Sequence, residues 1–138
     1  MARTIRELMT EGPRTATPDD DVATVARWMR DEDAGALPVV EGERLVGMLT
    51  DRDVVVRVVA EGRDPASTRV GEVASRRLVT IDPQQGADEA LRLMAQHQVR
   101  RLPVVEEDGK LVGMVAQADM AREADPTSVG EAVDRISR

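Results

Sequence analysis

The sequence contains no cysteine, and its aromatic content is limited to one tryptophan, Trp28. The absence of cysteine excludes a disulfide framework, a thiolate metal site and a cysteine nucleophile. With a single aromatic ring, the core has to be built from aliphatic side chains and methionine. Trp28 alone cannot form a cluster of rings that stacks bases, so we expect a bound purine to lie between aliphatic side chains.

Histidine is nearly absent as well, since His97 is the only one in the chain. No Ser/His/Asp set, HExxH motif or glycine-rich phosphate loop occurs in the sequence. We expect His97 to lie at a helix end or on the surface rather than to act as a catalytic base. The run Asp19–Asp21 fits a helix N-terminus, which favours negative charge, better than a magnesium site. The sequence therefore predicts no catalytic residue, no metal site and no enzymatic activity.

Long apolar runs are also missing, because no stretch approaches the ~18 residues of a membrane-spanning helix. The start of the chain lacks the apolar segment of a signal peptide. The formal net charge of −7 argues against a general nucleic-acid binder, which needs a basic face. These features predict a cytoplasmic protein that binds neither nucleic acid nor membranes.

What the chain does contain is an internal repeat. Identical residues recur 65 positions apart (72 minus 7) in the two halves. The pairs are Glu7 and Glu72, Thr15 and Thr80, Pro18 and Pro83, Met29 and Met94, and Pro38 and Pro103. Gly47 and Gly113 are 66 apart (113 minus 47), so the second hairpin turn contains one extra residue. We therefore divide the chain into repeat 1 at 1–66, repeat 2 at 67–126 and a C-terminal helix at 127–138.

The residue pattern of each half predicts a short helix, a short strand, an amphipathic helix, a β-hairpin and a final helix. The long helices carry apolar residues at i, i+3, i+4 and i+7, beginning at Val22 and Ala87. A sheet this small cannot bury both of its faces alone. The expected fold is thus α/β (of the α+β type), with two pseudo-symmetric repeats, small sheets packed together and flanking helices.

The C-terminal segment has its own helix signal. Ser128 and Glu131 have capping-box spacing, and an apolar face follows. That face consists of Val129, Ala132, Val133 and Ile136. We expect it to cover the core or a partner subunit, with docking to a specific target as the alternative.

The stretch Leu45–Asp53 of the first half recurs in the second half, and it is the centre of each repeat. It reads as an apolar strand followed by a helix, with Thr50 at the N-cap and Asp53 at the third helical position. This spacing puts a hydroxyl, a carboxylate and free amides around one helix N-terminus, which can hold phosphate. The same spacing is a capping-box variant that starts a helix. The copy at Leu111–Asp119 has Ala116 in place of the threonine.

The sequence Leu-Pro-Val-Val, a turn, Leu-Val-Gly-Met-Leu-Thr-Asp-Arg-Asp and its repetition resembles a tandem cystathionine-β-synthase (CBS) domain pair, or Bateman module. The resemblance runs from about Thr4 to Ala124, and it is closest to small stand-alone bacterial pairs, including the hypoxia-response type. It implies two repeats packed by their sheets, with clefts that commonly take adenine nucleotides or S-adenosylmethionine. It also implies a homodimer, because the family usually pairs such modules into a flat disc.

The resemblance assigns roles to three residues of the first copy. Thr50 would contact phosphate, Asp53 the ribose diol, and Met48 would line the base pocket. A carboxylate has two acceptor oxygens, so Asp53 is able to take both ribose hydroxyls.

Further roles follow for the second half. The family often has a basic residue shortly before the proline of Leu-Pro-Val-Val, and Arg100 and Arg101 match those positions. The first half has Gly35 and Ala36 there. Asp119 is retained in the second copy, so the two clefts should differ. We favour the Thr50 and Asp53 cleft, with Arg100 or Arg101 reaching phosphate from across the junction of the repeats. The alternative for these arginines is solvent exposure or inter-subunit pairing.

Three functions remain open at this point. The leading hypothesis is a non-catalytic regulatory module that binds AMP, ADP, ATP or S-adenosylmethionine, requires no cofactor and acts on an unidentified protein target. The second is a structural or protein-interaction homodimer with no small-molecule ligand. The third, an enzyme, is disfavoured by the missing catalytic sets.

Overall fold

The computed structural model describes residues 3–124. Their helices and strands follow in the order α1 (Ile5–Leu8), β1 (Thr10–Glu11), α2 (Val22–Glu32), β2 (Ala36–Glu41), β3 (Arg44–Thr50), α3 (Asp51–Val54), a π-helical turn (Val55–Val59), α4 (Val70–Val73), α5 (Ala87–His97), β4 (Arg101–Val105), β5 (Leu111–Ala116) and α6 (Gln117–Ala121). The chain forms two compact units. The central unit is Arg14–Leu78, and the terminal unit joins the segment up to Pro13 to the residues from Val79 onward. The helix predicted at 127–138 lies outside the described residues.

The central unit is built on the hairpin of β2 and β3. These strands pair antiparallel, with Ala36 opposite Thr50 and Pro38 opposite Met48. The predicted helical stripe is confirmed, because Val22, Val25 and Met29 of α2 are buried in the unit's aliphatic core. Because Ala36 lies opposite Thr50, the start of β2 lies beside the point where β3 ends and α3 begins.

The terminal unit repeats this arrangement. Strands β4 and β5 pair antiparallel with Arg101 opposite Ala116, and the short β1 adds to the other side of β5. Helix α5 buries its predicted face, which consists of Ala87, Ala90, Leu91 and Met94. The mixed fold with small sheets and flanking helices is thus confirmed.

The short first helix of each sequence repeat belongs to the opposite unit. Ile5 of α1 is buried in the core of the terminal unit, whereas Val70 of α4 is buried in that of the central unit. The glycines of the repeated stretch make room for the incoming segments. A Cβ on Gly47 would lie 3.0 Å from the carbonyl oxygen of Ser75, and one on Gly113 would lie 2.9 Å from that of Thr10. The compact units group the residues differently from the sequence repeats. The division into 1–66 and 67–126 therefore remains a proposal about the sequence.

Three local predictions differ from the structure. The sequence predicts a short strand from Arg14 to Thr17, before Pro18, but the structure has only a single bridge there, at Ala16. The sequence predicts that Gly35 closes the helical segment, but α2 ends at Glu32, and the following Asp33 adopts the left-handed conformation. The sequence also predicts a helix from about Asp51 to Glu61 with Gly62 directly after its end, but the structure changes to a π-helical turn at Val55. The end is confirmed by the positive φ of Gly62.

Candidate functional site

The first corner comprises Gly35, Ala36, Met48, Thr50, Asp51 and Asp53, around the point where β3 ends and α3 begins. The Thr50 hydroxyl oxygen accepts a hydrogen bond from the Asp53 amide at 3.0 Å. In return, the Thr50 amide donates to Oδ2 of Asp53 at 2.9 Å. Both bonds of a capping box are therefore formed, which confirms that Thr50 and Asp53 start this helix. A contact with phosphate stays a prediction.

The carboxylate of Asp53 is held in place. Its side chain is only 13% exposed, and Oδ1 lies 3.9 Å from Nε of Arg57. The Thr50 hydroxyl uses a lone pair in the cap, so its O–H remains able to donate. Met48 is half-buried in β3, two residues before the cap. The corner thus offers a fixed acceptor, a hydroxyl donor and an aliphatic side chain.

A second carboxylate lies at the edge of the same corner. The Asp51 amide donates to the carbonyl of Gly35 at 2.9 Å, which ties the start of β2 to the start of α3. A Cβ on Gly35 would lie 3.3 Å from Oδ2 of Asp51. The exposed Asp51 side chain therefore lies against bare backbone, and the first corner has an acidic edge.

The second corner comprises Arg100, Arg101, Ala116, Gln117 and Asp119, in the terminal unit. The Gln117 amide donates to the carbonyl of Arg100 at 2.8 Å, the same bond that joins Asp51 to Gly35. Ala116 occupies the N-cap with φ −112 and ψ 149, against −110 and 160 for Thr50. The backbone is repeated, but α6 has no side-chain cap.

The charges of the second corner are arranged differently. Oδ1 of Asp119 forms an ion pair with Nη2 of Arg122, and the Asp119 side chain is 46% exposed. Arg100 and Arg101 are both exposed, and within residues 3–124 neither guanidinium forms an ion pair. Because Gln117 replaces the acidic residue, this corner has a basic edge.

The duplicated hairpin, capped helix start and following helix match a known family. The model of the CBS domain matches residues 5–60 and 70–126. The chain belongs to the CBS domain family. It is 42% identical to the CBS domain-containing protein YhcV of Bacillus subtilis over 134 residues, which cover 96% of this chain and 94% of that protein. It is also 41% identical over 120 residues to hypoxic response protein 1 of Mycobacterium tuberculosis, covering 86% of this chain and 83% of that protein.

Solved structures agree with this CBS assignment. The crystal structure of Hypoxic Response Protein I with two coordinated zinc ions has a TM-score of 0.80 and 40% identity, and the match covers 88% of this chain and 99% of that one. CBSX2 in complex with AMP shares the fold at 23% identity, with a TM-score of 0.76 and 99% of each chain covered. The predicted family and its likeness to the hypoxia-response type are confirmed. CBS domain pairs are regulatory modules.

The structure groups the predicted site residues of this CBS pair into two sets. Met48, Thr50 and Asp53 lie in the first corner, whereas Arg100, Arg101 and Asp119 lie in the second. Sequence reasoning missed the basic partners of the two aspartates. The i+4 spacing of Arg57 from Asp53 and the i+3 spacing of Arg122 from Asp119 are the signals that identify them.

The described residues also bear on metal binding and on membrane insertion. Between residues 3 and 124, no cluster of three or more histidine, cysteine or acidic side chains is arranged to hold a metal ion. His97 is the exposed last residue of α5, as expected for a helix end. No helix in the described part of the chain is long and apolar enough to cross a membrane.

Proposed function

We propose that this CBS domain pair is a non-catalytic regulatory module that binds an adenine-containing nucleotide, either AMP, ADP, ATP or S-adenosylmethionine. The observation that carries the proposal is the first corner. There a capping box fixes the Asp53 carboxylate beside a hydroxyl that remains able to donate. Each carboxylate oxygen has two lone pairs, so a ribose diol can bind without breaking the cap. A preorganised acceptor of this kind loses little entropy when a ligand binds.

The second corner supports the phosphate-bearing members of this ligand class. Arg100 and Arg101 are exposed, and each presents a planar fork of donors to solvent. Guanidinium groups bind phosphate oxygens through paired, charge-assisted hydrogen bonds. We assign phosphate contacts to these two arginines and a weaker diol contact to Asp119, whose carboxylate is shared with Arg122. AMP in the CBSX2 structure is a precedent for testing AMP first.

We further propose that the module is a homodimer that passes ligand occupancy to a protein target. The relatives of similar length are stand-alone CBS domain proteins, so a regulated partner would be a separate chain. In this account, the protein requires no cofactor and performs no chemistry of its own.

Thermal-shift screening tests the ligand proposal. The protein is heated with AMP, ADP, ATP, S-adenosylmethionine and cyclic dinucleotides, with GMP as the matched control for AMP. A specific ligand at a hundred times its dissociation constant stabilises the fold by about 2.7 kcal/mol. We expect at least one adenine compound to raise the melting temperature while GMP does not. Equal shifts with AMP and GMP, or no shift with any compound, would contradict the proposal.

A structural homodimer without a ligand is the second candidate. Thr50 and Asp53 form hydrogen bonds with each other, and Asp119 is paired with Arg122. Neither corner therefore requires a ligand for stability, which favours this candidate. Dimerisation together with a flat thermal-shift screen would select this candidate.

A further inference from the structure

The first described residues of the chain, 3–11, lie along one side of the terminal unit. We call them the N-terminal strap. Near its start, the amide of Ile5 donates to the carbonyl of Gln85 at 2.8 Å. At its end, Thr10 of β1 lies opposite Met114 of β5. The strap therefore covers an edge of β5 whose backbone groups would otherwise be unpaired.

The side chain of Met9 lies directly on the backbone of Gly113, in the middle of β5. A Cβ built on Gly113 would lie 2.5 Å from Sδ of Met9, 2.8 Å from its Cγ and 2.9 Å from the carbonyl oxygen of Thr10. The thioether thus fills the space that any other residue at 113 would need for its side chain. Met9 is half-buried and packs against the core of the terminal unit.

The strap has few other side-chain attachments that could replace this contact. Its apolar contacts with the core come from Ile5, Leu8 and Met9. Its two ion pairs join Arg3 to Glu123 at 3.2 Å and Arg6 to Glu106 at 2.9 Å, and their side chains are partly exposed. Exposed ion pairs contribute little to stability. The Met9 sulfur is therefore one of the main links between the strap and β5.

The central unit has the same arrangement without a sulfur. Ala74 is the counterpart of Met9, 65 positions later (74 minus 9). A Cβ on Gly47 would lie 3.7 Å from the Cβ of Ala74 and 3.0 Å from the carbonyl oxygen of Ser75. The close approach of the backbone is therefore kept in both units. Because alanine suffices over Gly47, this packing does not in itself require a methionine.

The sulfur chemistry of this chain depends on methionine alone, because cysteine is absent. Between residues 3 and 124, four methionines are buried, namely Met29, Met94, Met114 and Met120. The other two in this range, Met9 and Met48, are half-buried. Since exposure governs how readily a thioether is oxidised, an oxidant in solution reaches Met9 before the buried methionines.

We propose that Met9 is a reversible oxidation site and that its sulfoxide releases the N-terminal strap from β5. Hydrogen peroxide is the oxidant: its O–O bond breaks, one oxygen forms an S–O bond at Sδ, and the other leaves as water. The sulfur loses two electrons, which the peroxide gains. Methionine sulfoxide reductases reverse the change. This proposal is independent of nucleotide binding, because it involves none of the residues assigned to the ligand.

Release follows from the larger size and the polarity of the sulfoxide. If the new oxygen stays at Gly113, it lies beside the carbonyl oxygen of Thr10, which is also an acceptor and cannot hydrogen-bond to it. Burying a polar group without a hydrogen bond is unfavourable. If the Met9 side chain turns to solvent instead, its contact with Gly113 is lost. Both outcomes weaken the strap directly beside β1.

The first test maps oxidation along the full-length protein with hydrogen peroxide, tryptic digestion and mass spectrometry. Trypsin gives one peptide, residues 7–14, whose only methionine is Met9, and another, residues 93–100, whose only methionine is Met94. Met94 is the matched control, because it is fully buried. We expect Met9 to gain one oxygen about tenfold faster than Met94. Equal rates would overturn the assignment of Met9 as the oxidation site.

The second test measures release by hydrogen exchange. After oxidation, the amides of α1 and β1 should exchange about tenfold faster or more, whereas those of α4 should not change. Met9→Leu keeps a similar volume and cannot form a sulfoxide, so it should retain slow exchange after the same treatment. Met48→Leu is the matched control, since Met9 remains oxidisable and the response should equal that of the wild type. Treatment with methionine sulfoxide reductase should restore slow exchange.

The outcomes decide between release and tolerance of the sulfoxide. Oxidised Met9 with unchanged exchange in α1 and β1 would overturn the proposal, and so would faster exchange in peroxide-treated Met9→Leu. Met9→Ala, which copies Ala74, is the second variant without a sulfur and keeps the test decisive where leucine itself loosens the strap. Met9→Gln introduces a polar side chain of similar length and should exchange rapidly without any oxidant. Slow exchange in Met9→Gln would contradict the role given to polarity.

Discussion

The first and second corners share one backbone and one aspartate, but most of their other side chains differ. In each, an amide at the start of a helix donates to a carbonyl at the start of the hairpin, from Asp51 to Gly35 and from Gln117 to Arg100. The first corner sets an aspartate against a glycine, whereas the second sets an arginine beside a neutral glutamine. A duplicated fold has therefore kept its geometry while its two copies acquired opposite charge.

The caps show the same division. Thr50 closes the first helix start, whereas Ala116 leaves the second without a side-chain partner. The aspartate that follows differs in consequence. Asp53 is fixed and largely buried, but Asp119 is exposed and turned toward Arg122. We infer that the first corner is suited to hold a diol in one orientation and the second to attract negative charge.

We expect the strongest change in binding at the two aspartates, Asp53 and Asp119. We expect Asp53→Ala to weaken nucleotide binding about ten- to a hundredfold, because hydrogen bonds to a charged acceptor contribute roughly 1.5 to 3 kcal/mol. Asp119→Ala should weaken it less, since Asp119 is not fixed by a cap. Isothermal titration calorimetry measures both. Asp53→Asn is the control for folding, because an amide oxygen can still accept from Thr50. A larger loss with Asp119→Ala would show that the diol binds at the second corner and not at the first.

The next effect tests the basic edge of the second corner. Arg100→Gln/Arg101→Gln should lower the affinity for ATP by about tenfold and leave that for adenosine unchanged, because only ATP has phosphates for the guanidinium groups. The loss should shrink as salt is raised. Arg76→Gln/Arg77→Gln, an exposed arginine pair elsewhere in the chain, is the matched control. Equal losses for ATP and adenosine would rule out a phosphate role.

Substitutions at the two N-cap positions, 50 and 116, should change stability by a smaller amount. Thr50→Val keeps the shape of the side chain but removes the capping oxygen, and we expect about 1 kcal/mol less stability in urea unfolding. Ala116→Thr adds the missing hydroxyl on nearly the same backbone and should stabilise by up to about 1 kcal/mol. Ala116→Val is its control, since valine has the same shape without an acceptor. Equal stability of Ala116→Thr and Ala116→Val would show that the second cap cannot be rebuilt.

The weakest change that we expect is in the pH dependence of stability, and it involves the short helices α1 and α4. A hydrogen bond from the Thr4 amide holds the pKa of Glu7 in α1 below its ordinary value of 4.5, and one from the Arg69 amide does the same for the pKa of Glu72 in α4. A lowered folded-state pKa gives stability that is present above pH 4.5 and is lost as the pH falls through the lowered value. We therefore expect the stability difference between the wild type and Glu7→Gln/Glu72→Gln to shrink below pH 4.5. A difference that stays constant down to pH 2 would contradict these capping roles.

Much of the fold was predictable because it is local. The apolar spacing of α2 and α5, the short apolar runs of the hairpin strands and the Thr50 to Asp53 spacing all act within a few residues. The exchange of α1 and α4 was not predictable, since Ile5 and Val70 show that each helix is buried but not which hairpin buries it. The π-helical turn was missed for a similar reason, because Val55 to Val59 has no residue that breaks an α-helix.

The two corners share one backbone, and we expect them to bind unequally. Calorimetric titration of the wild-type protein with the adenine nucleotide that gives the largest thermal shift measures this difference. We expect one tight site per chain, whose affinity falls by about tenfold or more in Asp53→Ala and is retained in Asp119→Ala. Two sites of equal affinity per chain, or a single site unaffected by Asp53→Ala, would contradict the account.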